Sequence, residues 1–224
     1  MNKIMRFAAL SAAGVILSLP LSGSAQIIIQ ENFDSYANQG ALDAVWPDDT
    51  AGETLQTSGG HSGANFLRHP TTAARKRWGG TFSVVPTTTA PLVLDFWIKH
   101  DSTAQGRVAL QLWESTGALH GFSYGNYNTV TTPGWMYRVL GGGAGGTWTA
   151  AGGTRGPINT WKNLKAKMLD KDVEFYENGI LISTNTARTS NFPAMTVLKT
   201  SLNNSTTPQA VSYTHLTLPT NREV

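Results

Sequence analysis

Two stretches of strict two-residue alternation constrain this chain more than any other feature. Over residues 92–99, Leu92, Leu94, Phe96 and Ile98 fall on one side, and Val93, Asp95, Trp97 and Lys99 on the other. Over residues 107–114, Val108, Leu110 and Leu112 oppose Arg107, Gln111 and Trp113. A strand turns successive side chains to opposite faces, so a period of two with one polar side marks a half-covered antiparallel strand. Helical periodicity is nearly absent. The one segment expected to wind is 38–45, a turn or two after a first strand at 26–33.

The rest of the chain follows the same logic. Strands are expected at 161–169, 172–177, 180–184 and 195–202, separated by Gly, Asn and Pro clusters at the spacing of a sandwich. Between two of them lies Asn178-Gly179, a pair that tolerates positive φ at both positions, which predicts a type I′ hairpin. The 23 glycines and the low charged fraction of 14% suit strands and turns better than helices. Residues 141–146 and 152–156 are glycine-rich but sit inside the strand pattern, so they are expected to be hairpin tips or loops rather than linkers. At 224 residues, with no internal repeat, one domain is expected.

The N-terminus reads as an address. Lys3 and Arg6 precede an apolar run over 7–21, and Ser22, Gly23, Ser24 and Ala25 close it with small residues. These are the three regions of a secretory signal peptide. The alternative is a membrane anchor, but the apolar run contains Pro20 and falls short of the roughly 20 residues a span needs. The expected domain order is therefore a signal peptide at 1–25 and a sandwich at 26–210, with a secreted, periplasmic or cell-surface location. No later stretch is apolar enough to span a bilayer. There is no cysteine, which removes disulfides and thiolate metal sites. The formal charge is +3, but Lys3 and Arg6 lie in the leader, so the remainder is nearly balanced and gives no reason to expect a nucleic-acid partner.

Two motifs carry a family resemblance. Glu31-Asn-Phe-Asp-Ser-Tyr36, with Leu42, Ala44, Trp46 and Pro47, is the first. Asn159-Thr-Trp-Lys-Asn-Leu-Lys-Ala-Lys-Met168, followed by Val173-Glu-Phe-Tyr-Glu-Asn-Gly-Ile-Leu-Ile182, is the second. Together they resemble the laminin-G-like jelly-roll modules of exported bacterial proteins, in the concanavalin A-like lectin and glucanase superfamily, over residues 27 to about 203. The resemblance implies an all-β, two-sheet antiparallel jelly-roll sandwich with one short helix near the N-terminus, Trp46 and Trp161 in the core, and a concave face of the kind often used to hold glycans. No cofactor is required by the sequence. The resemblance implies calcium as the one candidate ion, with Glu31 and Asp34 as its acidic ligands; alternatively Asp34 caps the turn before the helix. At its end the chain departs from the family: residues 211–224, VSYTHLTLPTNREV, resemble translated sequencing-adapter read-through and are expected to lie outside the domain.

Motifs that could carry chemistry are sparse. Gly121-Phe-Ser123-Tyr-Gly125 has the nucleophile-elbow spacing but no following helix to strain the serine outward. Gly141, Gly143 and Gly146 have dinucleotide-loop spacing without the strand–helix context. A retaining glycosidase needs two carboxylates about 5 Å apart on one face. The Glu-x-Asp-x-x-Glu strand of the jelly-roll glucanases is absent, Glu174 and Glu177 point to opposite faces, and Asp170 and Asp172 fall at a turn. The five histidines show no metal-ligand spacing. The aromatic residues say more. Trp97 and Trp113 fall on the polar sides of their strands, and such a ring stacks on the C–H face of a sugar while polar neighbours bond its hydroxyls. Asp95, Trp97, Lys99, Arg107, Gln111 and Trp113 are therefore the expected ligand surface if the two strands are neighbours; the alternative is that another layer covers that side. The expected function is a non-catalytic binding or adhesion module for a glycan or cell-surface polysaccharide, against a hydrolase or lyase of the same fold. If the leader is cleaved as read, mass analysis of the exported protein gives an N-terminus at Gln26; an intact Met1 contradicts it.

Overall fold

A computed structural model describes residues 26–50, 52–69, 75–100, 108–115, 119–126, 134–202 and 211–220. The leader and Arg107 lie outside this set. In chain order the elements are β1 (Gln26–Glu31), α1 (Gln39–Val45), β2 (Asp48–Thr50), β3 (Thr54–Gln56), β4 (Phe66–Arg68), β5 (Arg75–Lys76), β6 (Leu92–His100), β7 (Val108–Trp113), β8 (Gly121–Asn126) and β9 (Trp135–Gly141). They continue with β10 (Ala144–Gly145), β11 (Thr149–Gly152), β12 (Lys162–Met168), β13 (Val173–Glu177), β14 (Ile180–Asn185), β15 (Val197–Leu202) and β16 (Val211–Thr220). The fold is the all-β, antiparallel jelly-roll sandwich with one short helix that the resemblance implied.

Two sheets make the sandwich. The first runs β14-β13-β12-β6-β16-β4-β3, with β1 sharing the far side of β16; the second runs β10-β9-β8-β7-β15, with β11 on β9. Alternation along β6 holds through nine residues: Leu92, Leu94, Phe96 and Ile98 are buried, and the residues between them are half-exposed. Leu164, Ala166 and Met168 of β12 and Val173 and Phe175 of β13 extend that inner face. Leu110 and Leu112 of β7, Phe122 and Tyr124 of β8, and Tyr137 and Val139 of β9 line the inner face of the second sheet.

Phe175 joins the two layers. Its ring stacks on Tyr137 at 4.2 Å between centroids and meets Tyr124 at 4.9 Å and Phe122 at 6.0 Å. Tyr124 Oη then donates to the Tyr176 carbonyl at 3.0 Å, linking the sheets by a hydrogen bond as well as by packing. Burial, with Glu177 nearby, pushes the Tyr124 phenol above its ordinary range and keeps it a donor.

The helix forms where expected. Asn38 is its N-cap, with Oδ1 accepting from Ala41 N at 3.0 Å, and Leu42 and the following Trp46 are buried against the core. Lys76, fully buried, ties this region to the second sheet: Nζ donates to Asp43 Oδ1 at 2.6 Å, Asp48 Oδ1 at 2.7 Å and the Trp46 carbonyl at 3.1 Å. Its backbone N–H donates to Thr200 Oγ1 at 2.8 Å, and Trp78 N donates to the Leu198 carbonyl at 3.0 Å. This seats residues 75–78 along β15 and turns Lys76 inward, which leaves Arg75 and Arg77 on the opposite side.

Two expectations need correction. Trp161, expected in the core, is half-exposed on the outer face of the first sheet, because it falls in step with Asn163 and Lys165 rather than with the inward Leu164 and Ala166, and its ring packs on Phe66. The sandwich also does not stop at residue 210. Val211–Thr220 pairs with β6 along one edge and with β4 and β1 along the other, with a bulge between Thr214 and Thr217. The edge of β6 leaves a row of backbone donors and acceptors to be met, and a ladder of this kind is made by backbone groups rather than side chains.

The Asn178-Gly179 hairpin is borne out. Both residues have positive φ, 48° and 80°, and Glu177 faces Ile180 across a two-residue loop. A Cβ at Gly179 would meet nothing within 4 Å, so only the backbone resists a larger residue there. Gly179→Val is expected to lower stability by about 1–3 kcal/mol, read from the denaturant midpoint at unchanged slope.

Candidate functional site

The pleat places both expected tryptophans away from the core, as their alternation required, but on opposite sides of the molecule. β6 belongs to the first sheet and β7 to the second. Asp95, Trp97 and Lys99 come together on one outer face, Gln111 and Trp113 on the other, so the single surface expected from neighbouring strands does not form. The tertiary pairing is what alternation cannot encode: β6 takes β12 and β16 as partners, whereas β7 takes β8 and β15.

On the outer face of the first sheet the polar groups already satisfy one another. Trp97 lies opposite Asn163 in register, and Asp95 Oδ1 accepts from Asn163 Nδ2 at 2.5 Å. His61 stacks on the Trp97 ring at 3.5 Å between centroids, nearly parallel. Lys99 Nζ lies 4.9 Å from the ring centres of both Phe66 and Trp161 and donates to the Gly59 carbonyl at 3.2 Å. Farther along, Lys167 pairs with Glu174 at 3.5 Å, Tyr176 Oη donates to Glu174 at 2.6 Å, and Lys165 sits over the Tyr176 ring. On this face the polar groups contact one another and the Trp97 indole carries an imidazole.

The outer face of the second sheet is different. Arg138, Ser123, Gln111 and Lys199 stand directly opposite one another on β9, β8, β7 and β15, and Arg77 bridges to Lys199 at the end of the row. Neighbouring strands lie about 4.8 Å apart, so this row crosses the sheet over roughly 19 Å. Gln111 Nε2 donates to Ser123 Oγ at 2.8 Å, and Trp113 Nε1 donates to Gln111 Oε1 at 3.2 Å. Trp113 is fully buried yet stands outside the main core cluster, because its ring lies over Gly121. A Cβ at Gly121 would strike the Leu112 carbonyl and the Trp113 ring, and its φ of 144° also disfavours a side chain. The Arg138 guanidinium lies 5.7 Å from the Trp113 ring centre and 5.6 Å from that of Trp148, so it is held between two indoles.

Lys199 is the least comfortable group on this face. It is buried, and burial pushes its amine below the ordinary lysine range. Arg75, Arg77 and Arg138 push it the same way, and the field of Asp49 opposes them. Asp49 is also the partner of Arg77, at 4.0 Å. Arg75 Nε is buried with no hydrogen-bond partner. Among the described residues, no outward position of β7, β8, β9 or β15 holds an Asp or Glu, so this face has no carboxylate pair for glycoside cleavage. Ser123 is buried within β8 as an acceptor for Gln111, which is the opposite of an elbow nucleophile.

The acidic residues implied as calcium ligands are each bonded to donors of the protein itself. Glu31 is buried: Oε1 accepts from Phe33 N at 2.7 Å, and Oε2 accepts from Tyr36 Oη and from Trp46 Nε1, the latter at 3.1 Å. Burial, with Glu31 beside it, pushes the Tyr36 phenol up, so it stays a donor. With three donors on its carboxylate, Glu31 buckles β1 to the helix. Asp34 is exposed and accepts from Asn65 N at 2.8 Å, which fixes the 61–65 loop. Among the described residues no group of three or more His, Asp or Glu could hold an ion.

Arg138, Lys199 and Arg77 were missed by sequence reasoning. Their signal is the same alternation: Trp135, Tyr137 and Val139 point inward, which sends Met136, Arg138 and Leu140 outward, and Lys199 lies between Leu198 and Thr200, which turn to the inner side.

No family model matches this chain, and no curated protein does. Solved structures match in fold. A Bacillus licheniformis β-glucanase aligns with a TM-score of 0.52 at 11% identity, over 91% of this chain and 100% of that one. The carbohydrate binding module CBM66 from Bacillus subtilis gives 0.50 at 14% identity, over 77% and 93%. An endo-β-1,4-glucuronan lyase from the fungus Trichoderma reesei gives 0.57 at 6% identity, over 88% and 96%. The chain thus has a jelly-roll fold shared by binding modules and by enzymes.

Lys199 is held in the folded state with its proton less favoured than in the unfolded chain. Through the window below the ordinary lysine value of 10.5, the unfolded state binds more protons, so this group's contribution to stability rises with pH. Lys199→Met is expected to raise the melting temperature at pH 7 by about 2–4 °C and to flatten that rise, as seen by calorimetry across pH.

Proposed function

We propose that the chain is an exported, non-catalytic binding or adhesion module whose ligand is a glycan, held on the outer face of the second sheet. One observation carries this reading: the half-exposed Trp148 ring and the half-exposed Arg138 guanidinium stand together on this face, over the buried Trp113. A ring that can stack on sugar C–H surface and a donor beside it for hydroxyls are the two requirements of a glycan surface, and Trp148 and Arg138 supply them. The fold's occurrence in a carbohydrate binding module and in enzymes named for a glucan and a glucuronan supports a glycan-related role. A hydrolase or lyase is the competing reading. The carboxylate-free outer face favours binding over hydrolysis.

Glycan-array screening of the exported chain, followed by calorimetric titration of the best oligosaccharide, tests this. Trp148→Ala is expected to weaken binding by about 1–3 kcal/mol, the range that one stacked ring contributes in other aromatic recognition. Trp97→Ala, on the opposite face, is expected to leave affinity unchanged. Binding that follows Trp97 instead would move the site to the first sheet. Release of reducing ends or of unsaturated sugars from the bound polymer would make the protein an enzyme.

A further inference from the structure

We propose that Arg188 is a positioning residue of the glycan site: buried and out of a ligand's reach, it pins the β9–β10 hairpin from behind and so holds the Trp148 ring where a sugar can stack on it. This rests on the glycan reading of the same face and makes a second loop, residues 186–192, the part of the chain that sets affinity there.

Trp148 belongs to no strand. It falls in the break between β10 and β11, on the arm that returns beside β9. Gly145 lies opposite Leu140 and Thr149 opposite Tyr137, so Gly146, Thr147 and Trp148 face only Val139 and Arg138. Three residues against two make the arm bow outward. Gly146, at a φ of 68°, opens the bow: its N–H donates to the Val139 carbonyl at 3.1 Å, and a Cβ there would strike the Leu140 side chain. The bow places the Trp148 ring 5.6 Å from the Arg138 guanidinium. Its position therefore depends on how firmly Leu140 and the hairpin tip are held.

Arg188 and its neighbour hold them. Arg188 is 2% exposed. Nη1 donates to the Leu140 carbonyl at 2.6 Å, Nη2 donates to the Asn191 carbonyl at 3.0 Å, and the guanidinium lies 3.7 Å from the centre of the Phe192 ring. Thr189 takes the tip, where its N–H and its hydroxyl both donate to the Gly142 carbonyl, at 2.6 and 3.0 Å. A Cβ on Gly142 would strike the Arg188 guanidinium, so the hairpin sits directly against it. The loop has its own anchor in the buried Phe192, whose N–H donates to the Asp170 carbonyl at 2.7 Å. Charge-assisted bonds are strong, and here one constrains a glycine turn whose backbone is otherwise free. A ring ordered before the ligand arrives spares binding the entropy of ordering it.

Two readouts test this on the exported chain. Without ligand, Arg188→Met is expected to shift the Trp148 indole signal of a ¹⁵N-labelled sample and to leave that of Trp97 in place. Arg155→Met, which removes a half-buried arginine bonded to Asn126, is expected to leave Trp148 in place. In calorimetric titration with the tightest-binding oligosaccharide of a glycan array, Arg188→Met is expected to cost about tenfold in affinity, and nothing further in a Trp148→Ala background. Should Arg188→Met fail to fold, Thr189→Val, which loses only the exposed hydroxyl's bond to Gly142, is read in the same way with a smaller loss. Native affinity in these variants, equal losses in both backgrounds, or an unmoved Trp148 signal overturns the inference while the glycan reading stands. Native affinity in Trp148→Ala overturns that reading and the inference with it.

Discussion

The ring of Phe175 is the contact on which the sandwich depends. It reaches from the first sheet to stack on Tyr137 and touch Tyr124 and Phe122 of the second, and the other inward residues pack around that cluster. Truncating a ring so placed removes a large buried area and leaves a cavity, a change that costs about 3–5 kcal/mol. Once the two inner faces are locked, the pleat decides everything else: each strand's remaining side chains must point outward, and their chemistry has no choice of address.

The two outer faces then take different courses. On the first sheet, Asp95 with Asn163, Lys167 with Glu174, and His61 with Trp97 close the polar groups on one another. On the second, Gln111, Ser123 and Trp113 form a hydrogen-bonded line beside the buried Lys199, whose amine is pushed below its ordinary range by burial and by its arginine neighbours. The inward turn of Lys76 satisfies Asp43 and Asp48, and the same short strand sets Arg77 against Lys199.

Much of the fold was legible in the sequence because period-two patterns and turn chemistry are local. The facing of β6 and β7, the capped helix and the Asn178-Gly179 turn all follow from residues within a few positions of one another. The site was only half legible. Alternation correctly sent Trp97 and Trp113 outward, but it says nothing about which strands share a sheet, and the surface expected from the pair was divided by that unknown. Lys199 and Arg138 come together across β7 and β8 from positions 61 residues apart, a juxtaposition that only the register supplies. The protein donors on Glu31 were hidden for a related reason: Tyr36 and Trp46 are near in sequence, but that they converge on its carboxylate depends on the helix's packing.

The central claim is that ligand binds the outer face of the second sheet, and the tryptophans report on it directly. The chain has seven, and each indole N–H gives its own proton–nitrogen correlation in a ¹⁵N-labelled sample. Titration with the tightest-binding oligosaccharide of a glycan array is predicted to move the Trp148 signal, and with it that of the adjacent Trp113, assigned by substitution, while Trp97 and Trp161 stay in place. Movement of Trp97 and Trp161 with Trp113 and Trp148 unchanged would contradict the account.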